Sequence, residues 1–426
     1  MMKIIQIKDR VAMNRLLGAR EALLSDAEPV ARRIIEDVRQ HGDRALIRYA
    51  KKFDHMDLRK EGFTVSKKEI REAYRNVPRN FIRALRLAAG NIRAVARCQL
   101  PRPWRMETDA GVTVRQIIRP LDRVACYVPG GRFPLPSTVL MSVIPAQVAG
   151  VREIVVTSPL PAPAVLVAAD ILGIKKIYRL SGAQAIAAFA YGTEKVPRAD
   201  KIVGPGNRYV AAAKKLVARD CGIDFVAGPT ELVMVGSRGR PQWIAADLLA
   251  QAEHDPDAVA IFITPSRRLA LEVQTATQNL ARHLRVPVAE QALARQGAII
   301  LTQTISEAVD LANKYAPEHL TLLDGAASFL GQIQSAGSIF LGSYSAVAAG
   351  DYASGTNHIL PTGGSARLRG GLGAADFVKT TSVQQLSARG LSRLRKTIVT
   401  LANTEGLRAH ADSVEARFDS RRGEVR

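Results

Sequence analysis

Val124-Ala125-Cys126-Tyr127-Val128-Pro129-Gly130-Gly131 is an apolar run of strand length that stops at a proline–glycine turn. Pro136 to Val148 then reads as a helix, and the same rhythm returns three times. Glu153 to Thr157 leads to a helix around Ala164 to Leu172. Lys176 to Leu180 leads to one near Gln184 to Tyr191, and Lys201 to Val203 to one near Tyr209 to Ala218. Strand–helix alternation of this kind predicts a parallel sheet covered by helices, with ligands at the carboxyl ends of its strands. After Asp224 the rhythm resumes, with strands at Glu231 to Val235, Val259 to Thr264, Ala298 to Leu301, His319 to Leu323 and Ser338 to Leu341. Helices begin between them near Trp243, Arg267, Ser306 and Ala327. The expected fold is α/β, with two tandem Rossmann-like parallel-sheet domains.

Outward from that centre the text changes. Residues 1–23 form a lead segment. Pro29 to Val38 has helical spacing, Gly42 stops it, and Asp43 can cap a second helix over Arg44 to Phe53. Lys68 to Val95 is helical, interrupted at Pro78. Beyond Gly373 the chain reads as helical and charged, over Ser382 to Ser387, Leu391 to Ala402 and Leu407 to Arg417. The predicted division is 24–123 with 232–372 as one α/β domain, 124–231 as a second, and 373–426 as a helical tail. That tail is too short for a core of its own, so it must pack on the rest of the protein or on a partner subunit.

Composition narrows the class. The 426 residues are 47% hydrophobic and 23% charged, an ordinary globular balance. No apolar run reaches the roughly 18–20 residues of a membrane helix, and the first ten residues lack a signal-peptide core, so a cytoplasmic protein is expected. Cys98, Cys126 and Cys221 are too few and too scattered for a disulfide framework or a thiolate metal site. Sixty Lys+Arg against 39 Asp+Glu give a formal charge of +21 and a pI near 10.3. Such an excess suits a nucleic-acid binder. Here it is spread along the chain, and with aromatics at 5% a base-stacking platform has little material. A solvated basic surface is the simpler reading.

Several stretches carry chemistry-bearing residues. A complete dinucleotide fingerprint is missing: Gly204-Pro205-Gly206-Asn207 follows a strand, but Tyr209 stands where a third glycine belongs. With Val128 to Gly131 and Ser181-Gly182-Ala183-Gln184 it makes three glycine-bearing strand-end loops, which suit either a nucleotide crevice or plain turns. Gln251 and His254, three apart at a predicted helix end, can share one face and point an amide oxygen and an imidazole at one ion; a helix-end histidine can equally bind terminal carbonyls. Tyr315-Ala316-Pro317-Glu318-His319 sets a carboxylate beside an imidazole. Both serve one site only if the backbone turns at Pro317. Gly350 to Thr362 packs Asp351, Tyr352, Ser354, Thr356, Asn357, His358 and Thr362 into one loop without apolar periodicity. Glu405 and His410 lie in the tail. His41 and His55 sit at turns and read as surface residues. Taken together, nitrogen and oxygen donors without thiolates suit a divalent metal such as zinc.

On Ile223 to Glu231, Gln251 to His254, Tyr315 to Leu320, Gly350 to Pro361, and Glu405 with His410, the sequence resembles the histidinol dehydrogenases nearly end to end. That resemblance implies a zinc-dependent, NAD-linked, four-electron oxidation of L-histidinol through the aldehyde to L-histidine. It implies zinc held by Gln251, His254, Asp351 and His410, and substrate contacts from Thr230, Gln251, His254, His319, Asp351, Glu405 and His410. His319 is then the base for the alcohol proton, and Glu318 activates the water that adds to the aldehyde. Tyr127, Gln184 and Asn207 match the NAD-contacting positions. A homodimer is implied, with the tail exchanged so that His410 and Glu405 act in the neighbouring subunit's site. Thr230 departs from the serine common in the family but keeps the hydroxyl. A related dehydrogenase acting on another small polar alcohol is the alternative, and a basic nucleic-acid binder on the same scaffold a third.

Overall fold

The computed structural model describes residues 2–18, 26–130 and 134–419. Of the stretches above, residues 1 and 19–23 of the lead segment, Gly131 of the first strand-end loop and residues 420–426 of the tail lie outside the described residues. The chain divides into two compact units, Met1–Gln99 with Leu121–Phe377, and Leu100–Pro120 with Val378–Arg426.

The first unit contains two parallel sheets. One has five strands in the spatial order Ile177–Tyr178, Glu153–Thr157, Arg123–Tyr127, Lys201–Val203, Gly222–Ile223. The other has six: Lys3–Gln6, Gly297–Leu301, Val259–Thr264, Glu231–Val235, His319–Leu322, Ser338–Leu341. Setting aside the amino-terminal edge strand, both sheets are wound in the same order, 3-2-1-4-5, the doubly wound pattern of nucleotide-binding folds. The central strands are buried on both faces, which is why they read as unbroken apolar runs; all five residues of Glu231–Val235 are buried. The helix Gly182–Tyr191 is almost wholly buried, and its alanines share one core with Ala31, Ala45 and Leu46 of the helix Glu28–Phe53.

The predicted break at Gly42 is present. Helix Glu28–Phe53 is kinked there, with Gly42 at φ +50°, a conformation that glycine adopts without a Cβ penalty. The lead segment contains an edge strand, Lys3–Gln6, that the sequence reading did not assign. It pairs in parallel with Ala298 to Leu301.

The second unit corrects the reading of the tail. Val378–Leu386 is a strand where Ser382 to Ser387 was expected to be helical. It runs antiparallel along Val112–Pro120, which also pairs with Trp104–Asp109. Val378, Thr380, Thr381 and Val383 are β-branched and favour the extended chain. The helices Ala388–Thr404 and Arg408–Glu415 follow as expected. Among the described residues no helix is long and apolar enough to cross a membrane.

Candidate active site

In the six-stranded sheet the chemistry gathers at the amino ends of two adjacent strands. This differs from the carboxyl-end position that the alternation predicts. Glu231 opens the strand Glu231–Val235 and His319 opens His319–Leu322, the pair that flanks the point where strand order reverses. Helix Ile305–Tyr315 delivers the second strand through Ala316, whose left-handed φ of +51° caps the helix, and then through Pro317. The expected turn is therefore present, and it brings both Glu318 and His319 to one side.

Glu318 Oε2 accepts from the Thr230 hydroxyl at 2.5 Å and from the Glu231 N–H at 2.8 Å. The Thr230 hydroxyl in turn accepts from Gln251 Nε2 at 2.5 Å. His319 Nδ1 donates to the Glu231 carbonyl at 3.2 Å and lies 3.6 Å from Glu318 Oε2. Its Nε2 is 3.5 Å from Asp351 Oδ1 and, fully buried, makes no hydrogen bond. The result is a row of carboxylate, imidazole and carboxylate.

Burial works against charge in this row, and the neighbours decide the outcome. Burial would lower His319, but Glu318 and Asp351 outweigh it and carry the imidazole up to about 9. Burial pushes the Glu318 carboxyl up against the opposing pull of His319 and Thr230. For Asp351 burial is again the largest influence and would raise it, yet His319, with His358 and His254, holds it below the ordinary value.

The polar stretch Gly350 to Thr362 is the frame of this row. Asp351 sits in the short helix Val347–Tyr352. His358 Nδ1 donates to the Asp351 carbonyl at 3.0 Å, which leaves Nε2 to accept from Thr138 at 3.3 Å; burial lowers its pKa and favours that neutral form. Asn357 donates to the Met141 carbonyl, and Thr362 accepts from the Gly228 N–H at 2.5 Å. Gly355, at φ +100°, has no room for a Cβ, which would stand 2.7 Å from the Asn91 carbonyl oxygen. These contacts tie the loop to the rest of the unit and hold the backbone that carries Asp351.

The expected metal donors divide. Gln251 is buried in the last turn of helix Pro241–Ala252, and its amide nitrogen is committed to Thr230, which leaves the oxygen for a cation. His254 lies beyond the helix end, so it does not share a helical face with Gln251 as predicted; it is exposed and helps lower Asp351. His410 and Glu405 belong to the second unit and are exposed. Among the described residues no three His, Cys, Asp or Glu side chains gather into a metal cage. One amide oxygen, one imidazole and one carboxylate are donor types that suit a nitrogen/oxygen zinc site.

The other expected residues stand at the carboxyl ends of the five-stranded sheet. Tyr127 closes its strand and its hydroxyl accepts from the Gly182 N–H at 3.1 Å. Gln184 is buried in the first turn of Gly182–Tyr191. Asn207 caps helix Arg208–Val217, accepting from the N–H groups of Tyr209 and Val210. Sequence reading missed what locks this edge. Gly204, at φ +118°, presses on Tyr127, where a Cβ would lie 2.1 Å from the carbonyl oxygen. Its carbonyl accepts from buried Lys214 at 2.8 Å and its N–H donates to buried Asp224 at 2.7 Å. Lys214 and Asp224 also form an ion pair. A mostly apolar stretch holding two adjacent lysines, Tyr209 to Val217, and the lone aspartate of Gly222 to Phe225 were the available signals.

Two parallel sheets of the same winding, one of them carrying an acid–base row, make a doubly wound α/β enzyme scaffold. Residues 19–418 match the family model described as histidinol dehydrogenase. The histidinol dehydrogenase of Methanothermobacter thermautotrophicus is 49% identical over 394 residues, covering 90% of this chain and 92% of that protein. That of Methanosarcina mazei is 44% identical, covering 96% of each. The crystal structure of histidinol dehydrogenase from Elizabethkingia anophelis superposes with a TM-score of 0.93 at 37% identity, covering 99% of each chain. The chain belongs to the histidinol dehydrogenase family.

Proposed function

We propose that the protein oxidises L-histidinol to L-histidine through the aldehyde, in two successive hydride transfers to NAD, as a cytoplasmic zinc enzyme of histidine biosynthesis. The observation that carries this is the row Glu318–His319–Asp351, a buried and a half-buried carboxylate astride a buried imidazole whose Nε2 faces Asp351 without a hydrogen bond.

Bound zinc would supply a positive template that orients the substrate's amine and imidazole, held by Gln251, His254, Asp351 and, from a neighbouring subunit of a homodimer, His410. Bound NAD would accept the hydride. His319 Nε2 takes the hydroxyl proton as the carbinol hydride leaves, giving the aldehyde. Engaging Asp351 elsewhere removes one of the two charges that raise His319, which moves the imidazole toward a proton acceptor near neutrality. Glu318 then takes a proton from the water that adds to the aldehyde, and the hydrated form releases the second hydride. Thr230 orients Glu318 by donating to it, and Glu405 and His410 read the substrate. Tyr127, Gln184 and Asn207 line the NAD crevice.

The test is NADH formation from L-histidinol by the full chain, before and after chelation and zinc restoration. Activity lost to chelator, regained with zinc and yielding two NADH per histidinol is expected. A zinc-loaded protein that makes no NADH from histidinol overturns the proposal, and turnover of a different small polar alcohol instead moves it to the related-dehydrogenase reading.

A further inference from the structure

One carboxylate at the carboxyl edge of the five-stranded sheet has no part in the chemistry above. Asp54 closes the helix Glu28–Phe53, its N–H donating to Ala50. The chain leaves through His55, a non-glycine residue at φ +55°, and enters the core at Met56 and Leu58. The position is therefore set by the backbone on both sides, although it comes from far outside the sheet.

Ser181 is the N-cap of the helix Gly182–Tyr191 but makes no capping hydrogen bond. Its hydroxyl turns to Asp54 instead, 2.8 and 2.7 Å from the two carboxylate oxygens. Gln184 Nε2 donates to that same hydroxyl at 3.3 Å, and the next N–H, of Gly182, goes to Tyr127. Asp54 is thus linked through the Ser181 hydroxyl to Gln184, and its charge also acts on Tyr127, two of the three residues expected to line the NAD crevice. One hydroxyl proton is a small complement for a group with about four acceptor sites. Among the described residues no lysine or arginine forms an ion pair with Asp54; burial raises its carboxyl, opposed by Ser181 and by His55. A half-buried carboxylate short of donors, beside a helix start whose own N–H groups favour phosphate, suits a neutral diol and repels a second phosphate.

We propose that Asp54 is the residue that sets dinucleotide choice, accepting hydrogen bonds from the vicinal hydroxyls of a ribose and excluding a ribose that carries a phosphate. Acidic residues at strand ends of doubly wound sheets read ribose hydroxyls in this way. Here the acid arrives from a preceding helix, which the motif spacing could not have revealed. The inference rests on the reading of this crevice as the NAD side.

The test is calorimetric titration of the zinc-loaded full chain with NAD and with NADP, alongside histidinol oxidation with each. The unsubstituted protein is expected to bind NAD and disfavour NADP. Asp54→Asn weakens NAD by about tenfold, the scale of a hydrogen bond to a charged group, and narrows the NADP-to-NAD ratio of dissociation constants by about as much, while the KM for histidinol stays. Asp54→Glu keeps the charge and keeps the refusal of NADP, so it reports on the charge even where the Asn variant melts early. Unchanged NAD affinity and an unchanged ratio in Asp54→Asn overturn the role of Asp54 alone, as does a Glu variant that admits NADP as readily as the Asn variant. An unsubstituted protein that binds neither dinucleotide instead overturns the crevice reading.

Discussion

His319 and Glu318 touch each other and the same backbone, yet they are assigned to different protons, and substitution separates them. His319→Gln removes the acceptor at Nε2 while preserving a polar side chain, and turnover should fall by about 100- to 10,000-fold. Glu318→Gln should spare the first hydride transfer more than the second, so that rapid-quench analysis finds aldehyde accumulating and NADH per histidinol dropping toward one. Equal loss of both steps would show that Glu318 serves the site only as structure. A different residue lowers stability as pH rises. Asp247, on helix Pro241–Ala252, is pushed by burial from 3.8 to about 6. A carboxyl raised by folding favours the folded state below its unfolded value and withdraws that support as pH rises through about 6. The change is worth up to about 3 kcal/mol, so Asp247→Asn should melt higher than the parent at pH 8 and equally at pH 4, read by thermal denaturation. At this scale the sequence was most legible where backbone chemistry announced itself: Pro317 forced the turn that unites Glu318 with His319. It misplaced His254, because a helix end cannot be placed to within two residues by periodicity, and was silent on Asp54, whose hydrogen-bond partner Ser181 lies more than a hundred residues away.

Elements were legible in proportion to their burial. Strands covered on both faces appeared as apolar runs, and their alternation with helices was enough to foresee both parallel sheets. The antiparallel sheet was hidden for the converse reason: Trp104–Asp109 and Val378–Leu386 are mostly exposed, so neither carries a hydrophobic pattern, and the ladder joins distant segments. The location of the acid–base row at amino ends was equally hidden, since periodicity marks a strand without saying which of its ends receives a loop from elsewhere. The loop after Lys201–Val203 offers a test of element-scale coupling. Lys214 and Asp224 hold both polar atoms of the Gly204 peptide. Lys214→Met leaves Asp224 buried without its cation and should cost about 3–5 kcal/mol in chemical denaturation. Replacing both by apolar residues of similar size should recover part of that loss. Additive losses in the double variant would show that the two side chains act separately.

For the whole molecule, the +21 charge is not explained by anything in the structure. The expected absence of nucleic-acid binding can be measured directly: a gel shift at physiological salt should show no complex, and one that forms and fades with added salt would revive the nucleic-acid reading. The second unit leaves Leu401 and Leu407 more than 40% exposed, apolar surface of the kind that partners cover. If the proposed homodimer holds, light scattering gives twice the 46.1 kDa of one chain, and Leu401→Asp shifts the mass toward a single chain and lowers turnover with it. The discontinuity of that unit also bears on how the protein is made. Val112–Pro120 leaves the ribosome with one flank unpaired, and its partner Val378–Leu386 follows only after roughly 260 further residues. At about 5–20 residues per second the nascent chain carries an open strand edge for roughly 13–50 s, long enough for chaperones to find it and for crowded polysomes to join the wrong copies.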